Sequence, residues 1–226
     1  MITRWLLALL FAASFAAFAA NAAPASAPVE RLQPRDEASQ DPSFVVFRTK
    51  LHAIVQAKDV RGLRSTLAED ILNNFGGGKG IDAFNNAWRP DDPQSAVWPV
   101  LAGVLKLGGS FKSRTAFTAP YVSATWPGDL GKFDFVAVTS ADAVIRKAPD
   151  AGSAVVRKLD HDLLEVIQSD LMPQHEAGPD NWDEVKDRKG NRGFILVRDV
   201  RSPLDFRATF EKRNGKWVIA SFMSGE

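Results

Sequence analysis

Residues 144 to 200 constrain the fold of this chain more than any other stretch. Short runs rich in branched and aliphatic residues follow one another, separated by turn-forming residues: Val144 to Lys147, a Pro149-Asp150-Ala151-Gly152 turn, Ala154 to Lys158, Leu163 to Gln168, Trp182 to Lys186, and Gly193 to Val197. Runs this short, with a period of two and Gly, Pro or Asp between them, are the pattern of antiparallel strands. The alternation begins earlier, where Phe133, Phe135 and Ala137 alternate with Asp134 and Val136. It returns at the end, where Asp205 to Phe210 faces Lys216 to Ile219 across Arg213-Asn214-Gly215. Asn-Gly between two such runs is the strongest short-range signal for a hairpin.

The residues before this block read differently. Asp41 followed by Pro42 and Ser43 is a helix start, the carboxylate capping and the proline in the first turn. Phe44, Phe47, Leu51, Ile54 and Val55 then share one helical face. Asp59 caps a second short helix carrying Val60, Leu63 and Leu67. Asn73 to Gly80 breaks the pattern, and Ile81, Phe84 and Trp88 resume it until Pro90. Ser95 caps a further helix with Val97, Leu101, Val104 and Leu105, closed by Gly108-Gly109. Residues 44 to 109 are therefore expected to form a helical unit, and 44–130 a helical N-terminal domain.

The first residues, MITRWLLALLFAASFAAFAANAA, combine one Arg, an apolar run and an Ala-Asn-Ala exit. These are the three parts of a secretory signal peptide, with cleavage expected after Ala22. An uncleaved anchor is the rival reading, since the apolar run approaches spanning length. Residues 23 to 43, polar and without apolar period, are expected to be a disordered linker. The chain has no Cys, which excludes a lipid-bearing cysteine, disulfides and thiol chemistry. The net charge is +1. Removing the leader removes Arg4 alone, so the mature chain is close to neutral, and neither a nucleic-acid-binding face nor a polybasic membrane patch is expected.

The order Val144-x-Arg146-x-x-Pro149, Gly152, Val155-Val156, Leu159, Leu164-x-Val166, Trp182-x-x-Val185, Gly190 and Gly193-Phe194-Ile195 resembles the bacterial SH3 (SH3b) domain of exported and cell-wall proteins. The resemblance implies an SH3-like antiparallel barrel over residues 131–226, taken together with the C-terminal hairpin, and an α+β chain overall. It implies ligand binding rather than catalysis. Phe194 stands where that family often has Trp or Tyr, and Ser169 to Asn181 is a long insertion that could cover or remodel the usual groove. Over the mature chain, Phe84 with Trp88, Trp98, Leu107-Gly108-Gly109, Ala119-Pro120-Tyr121 and Arg201 to Arg207 resemble exported bacterial proteins that pair a helical N-terminal region with this domain, a resemblance that brings no activity with it. The leading amphipathic helix with Lys58-Asp59, and Phe210 to Trp217, also resemble the start and the closing hairpin of cystatin-like, NTF2-type folds. On that reading the hairpin packs on the N-terminal helices and the SH3 unit is an insertion.

The catalytic motifs are incomplete. His175-Glu176 lacks the second His four residues on, where Pro179 stands. Gly76-Gly77-Gly78-Lys79-Gly80 lacks the hydroxyl residue that follows Lys in a phosphate loop. Asp160-His161-Asp162 reads as a charged turn. Neither Gly-x-Ser-x-Gly nor Ser-x-x-Lys occurs in the mature chain. His52 reads as a helix-surface or packed residue, and most Trp as core. No catalytic residue, metal site or cofactor is expected. The ligand-binding expectation falls on Trp182 and Phe194, as aromatic anchors for a cell-wall peptide or a segment of an envelope protein, most simply in the periplasm. The alternative is a small-ligand or hydrolytic protein using a cavity of the cystatin-like unit, with Asp59, Glu69, Asp70 and Asp82 as unassigned carboxylates.

Overall fold

The computed structural model describes residues 29–169 and 181–225, so the expected signal peptide and the His175-Glu176 pair lie outside the described residues. Among the described residues, five α-helices and twelve strands in two sheets make a mixed α+β chain.

Helix α1 (Pro42–Ala57) forms where its capping signal predicts: the Asp41 carboxylate accepts from the Ser43 and Phe44 backbone N–H groups, and Lys58 ends the helix in the left-handed region. Phe44, Leu51, Ile54 and Val55 are buried. Asp59 caps α2 (Val60–Arg64) through the Gly62 N–H. Leu67, expected on that helix, instead starts strand β1 (Leu67–Leu72). Helices α3 (Gly80–Trp88) and α4 (Val97–Lys106) follow, then strands β2 (Ser110–Ser113) and β3 (Ala116–Ala119) and the short helix α5 (Tyr121–Ala124). The unit expected to be helical therefore carries three strands.

Seven strands come next: β4 (Phe135–Val138), β5 (Val144–Arg146), β6 (Val155–Lys158), β7 (Leu163–Gln168), β8 (Trp182–Asp187), β9 (Arg192–Leu196) and β10 (Val200–Arg201). They pair in the order β10-β4-β7-β8-β9-β5-β6, and no β6–β10 pairing closes the sheet among the described residues. Their core is aliphatic: Val136, Val138, Ala143, Ile145, Leu159, Leu164, Val185, Ile195 and Val200. The phase of β4 differs from expectation. Phe133 is exposed, while Val136, Ala137 and Val138 are all buried, because Ala137 faces a second apolar cluster. Gly193 is required by a close approach of β5 and β9: a Cβ there would lie 2.3 Å from the Arg146 carbonyl oxygen.

The terminal hairpin, β11 (Arg207–Arg213) and β12 (Lys216–Met223), turns at Asn214 (φ 48°) and Gly215 (φ 78°), the two positive-φ positions of a type I′ turn. It does not continue the seven-stranded sheet, as the expected 131–226 boundary required. It completes a five-stranded sheet of order β1-β12-β11-β3-β2, in which β1 and β12 run parallel. The reason lies in its side chains. Phe210, Trp217 and Phe222 are aromatic and join Phe44, Phe84 and Phe117 in one core, whereas the core of the other sheet is aliphatic throughout. Phe44 sits at the centre, its ring centroid 4.3 Å from that of Phe117 and 4.9 Å from that of Trp217. Polar contacts fasten the same joint. The Trp217 indole N–H and the Lys212 ammonium both donate to the Ser43 hydroxyl, at 3.0 and 2.8 Å.

Residues 29 to 43, expected to be disordered, include an ordered strap across both sheets. The Leu32 N–H donates to the His161 carbonyl, the Leu163 N–H to the Glu30 carbonyl and the Glu37 N–H to the Gly109 carbonyl. The Glu37 carboxylate accepts from the Ser110 hydroxyl and the Phe111 N–H, and these bonds hold its pKa below the ordinary value of 4.5. Leu32 closes a third apolar cluster with Tyr121, Val122, Ala137 and Leu163, which joins the two units.

The charged turn at Asp160 to Asp162 forms between β6 and β7 as expected, but one of its acids is buried. Asp162 and Asp187 are buried, and Arg157 bridges them at 2.7 Å to each. Burial opposes ionisation of Asp187. Hydrogen bonds from the Asn191 side chain and from the Asn191 and Lys189 backbones, with the Arg157 guanidinium, outweigh it and keep the pKa below 3.8. Removing Arg157 leaves two buried carboxylates without their counter-charge. Arg157→Ala should lose about 3–5 kcal/mol in urea unfolding. A loss under about 1 kcal/mol, the scale of an exposed pair, would show that solvent already serves these acids. For both Glu37 and Asp187 the folded pKa is depressed, so their stabilisation is complete above the unfolded carboxyl values and drains away as pH falls below them. Melting temperature should therefore drop steeply below about pH 4. The drop should be shallower from its lower start in Arg157→Ala.

Candidate functional site

The buried and outward faces of β8 and β9 alternate strictly. Asp183, Val185 and Asp187 on β8, and Gly193 and Ile195 on β9, point into the core. Trp182, Glu184 and Lys186 lie on the opposite face, cross-strand from Leu196, Phe194 and Arg192 respectively. Phe194 is also in register with Arg146 of β5. The two residues anticipated as aromatic anchors thus share one face, on neighbouring strands one pair apart, each half-buried.

Trp182 lines a cleft among the described residues. A concavity of about 390 Å³ opens beside Trp182, with Leu196, Val144 and Ala151 as its apolar walls. Its polar groups come in both signs: Asp142 and Asp199 against Arg146 and Arg198, with the Ser140 hydroxyl between strand ends. Phe194 is not among its lining residues. Arg146 is positioned by the turn it faces, donating to the Ser153 carbonyl at 2.6 Å, while the Ser153 hydroxyl accepts from the Ala148 N–H. Trp182 follows the insertion directly; residues 170–180 lie outside the described residues.

The residues of the alternative expectation do not come together. Asp59 is a helix cap, and Asp70 pairs with Arg213 on the surface. The space between α1 and the five-stranded sheet is filled with aromatic rings. A cleft of about 490 Å³ lies at its rim, over Trp88 and Phe206, with Asn73, Arg89, Asp92 and Gln94 around them. None of Asp59, Glu69, Asp70 and Asp82 lines it. The glycine-rich segment makes a turn ahead of α3, with Gly77 and Gly80 at positive φ. His52 is half-buried on α1, and burial lowers its pKa. Among the described residues no group of three or more His, Asp or Glu side chains is placed to hold a metal ion. No described helix is long and apolar enough to cross a membrane.

Ser140, Asp142, Arg198 and Asp199 were not anticipated. They belong to two loops brought together by the pairing of β10 with β4, which no local pattern announces. Asp199 is recognisable only through the backbone: its carbonyl accepts from the Thr139 and Ser140 N–H groups.

No protein-family model and no curated protein matches the chain. Among solved structures, a protein from Xanthomonas campestris described as a calcium/calmodulin dependent protein kinase II association domain aligns over 86% of this chain and 97% of that one, at 10% identity and a TM-score of 0.26. At that TM-score the likeness carries no argument about fold or function.

Arg146 ties the 147–154 turn to the cleft wall. Arg146→Ala should raise the amide exchange of Ala148 and Ser153 about fivefold, the equivalent of one ordinary hydrogen bond of about 1 kcal/mol. Unchanged exchange would mean that the turn holds itself.

Proposed function

We propose that this is a non-catalytic binding protein of the bacterial cell envelope, whose seven-stranded unit is of the SH3-like type and takes an extended peptide across the outward face of β5, β9 and β8. The single observation that carries the reading is the open cleft beside Trp182. An indole and three aliphatic side chains form its walls, and two acids and two guanidiniums stand around them. Such a surface suits an extended chain, since apolar walls take alternate side chains and charges of both signs fix direction. The strand order and the placement of Trp182, Gly193 and Phe194 support the SH3-like reading; the leader sequence supports export to the periplasm. The ligand is a cell-wall peptide or an extended segment of another envelope protein. On this reading the five-stranded unit, cystatin-like in its helix-and-hairpin arrangement, serves as a platform. A small-ligand role for that unit would fall to the rim cleft over Trp88 and Phe206, because its interior is packed.

The test is retention of the chain from residue 23 onward on purified sacculi and their soluble fragments. Saturable binding should weaken about thirtyfold in Trp182→Ala, the loss of a central aromatic anchor of about 2 kcal/mol. Because Trp182 is on the outward face, the variant should melt within a few degrees of the parent. Binding that survives Trp182→Ala unchanged would remove the cleft from the account. No binding to sacculi or fragments would leave an envelope protein segment as the ligand, to be sought by cross-linking from position 182.

A further inference from the structure

A second cleft, of about 570 Å³, runs along the joint between the two units. One wall is the end of α4, with Gly103, Lys106 and Leu107; the other is built from Thr139 to Ala141 and from Val197, Arg198, Val200 and Arg201. Three cationic side chains, Lys106, Arg198 and Arg201, line it, and no carboxylate does. This contrasts with the neighbouring Trp182 cleft, where two acids accompany the guanidiniums. Like charges gathered around one concavity raise its potential and concentrate counter-charge there.

Two details bear on what the cleft can hold. Arg201 donates through Nη2 to the Phe206 carbonyl, but its Nε is buried without a hydrogen-bond partner. Burial depresses its pKa, against the favourable field of Asp205. Lys106 makes no ion pair or hydrogen bond among the described residues, while Arg198 is already engaged. The second detail is Gly103. It lies within α4, has no positive φ, and a Cβ added to it would meet nothing within 4 Å. Neither backbone nor packing asks for glycine, a poor helix former, at that position. Its effect is to keep a full side chain out of the cleft.

We propose that this cleft binds a small polyvalent oxyanion, held by Lys106 and Arg201 in the field of Arg198, with the Thr139 and Ser140 hydroxyls as further donors. The shared chemistry is that of a phosphate ester or a di- or tricarboxylate. With its walls drawn from both units, a bound anion ties α4 to the β4–β10 edge. The inference does not depend on peptide binding at Trp182, although Ser140 and Arg198 border both clefts.

Calorimetric titration of the chain from residue 23 with inorganic pyrophosphate and with citrate, at fixed ionic strength, tests it. Saturable binding of at least one is expected. It should weaken at least tenfold in Lys106→Ala and be abolished in Gly103→Glu, which places a carboxylate among the cations. Gly103→Ala should bind as the parent does and melt no lower. Binding of pyrophosphate alone identifies a phosphoryl ligand, and of citrate alone a carboxylate ligand. No binding of either anion, or equal affinity in a folded Gly103→Glu, overturns the proposal. Should Gly103→Glu fail to fold, undiminished affinity in Lys106→Ala does the same. Trp182→Ala should leave anion binding unchanged, so failure of the peptide reading and failure of this one are separable.

Discussion

The seam at which Tyr121 and Val122 meet Ala137 and Leu163 sets the geometry of everything else. Each sheet has its own core, and neither core reaches the other. What joins them is this small cluster, with Leu32 laid over it from the strap. Burying its leucine and valine side chains is worth about 1.5–3 kcal/mol each. The strap adds backbone hydrogen bonds at both ends, to His161 and Leu163 on one side and to Gly109 on the other. Fixing these two bodies relative to each other decides whether the end of α4 faces β10 at all.

Within the seven-stranded sheet, β6 shows how little apolar burial a strand needs when charge does the anchoring. Val155 and Val156 are both exposed, and none of its four residues is buried. Its place is held by pairing with β5 and by the Arg157 guanidinium reaching two buried carboxylates. An edge strand with exposed valines is a template for pairing with other chains, and the charged residues Arg157 and Lys158 guard it.

Much of the fold was legible where the period of the sequence matched one buried face. Helix α1 with its Asp41 cap, the runs that became β5 to β9, and the Asn214-Gly215 turn follow from local rules alone. What escaped reading has a common cause: partners distant in sequence. Strand β1 pairs in parallel with β12 through an irregular register, and its buried and exposed residues do not alternate. The strap buries little more than Leu32 and Ala38 and is otherwise held by backbone and carboxylate contacts, so it carries no apolar signature. The turn at Asp160 to Asp162 was legible, but not the burial of Asp162, which shares Arg157 with Asp187 of β8, thirty residues from that arginine. The candidate site divides the same way. Trp182 stood out as an aromatic after an insertion, but Asp142, Ser140 and Asp199 acquire meaning only once β4 and β10 are paired.

The pairing of β3 with β11 places Ala119 opposite Ala208, so that the entire seven-stranded unit is a closed loop hung between two adjacent strands. For an unstructured chain of that length the entropy of closing the loop is considerable and nothing is gained until the ends meet. If the inserted strands pair first, among near neighbours in sequence, the distance to be closed shrinks to the separation of two chain ends on one folded body. The five-stranded sheet then assembles late, after its own interruption, and Phe210 and Trp217 are the last aromatics to find Phe44. A nascent chain would hold that aromatic face uncovered until β11 and β12 had emerged, which makes the order of synthesis, as much as the energy of packing, a determinant of whether this protein reaches its native state.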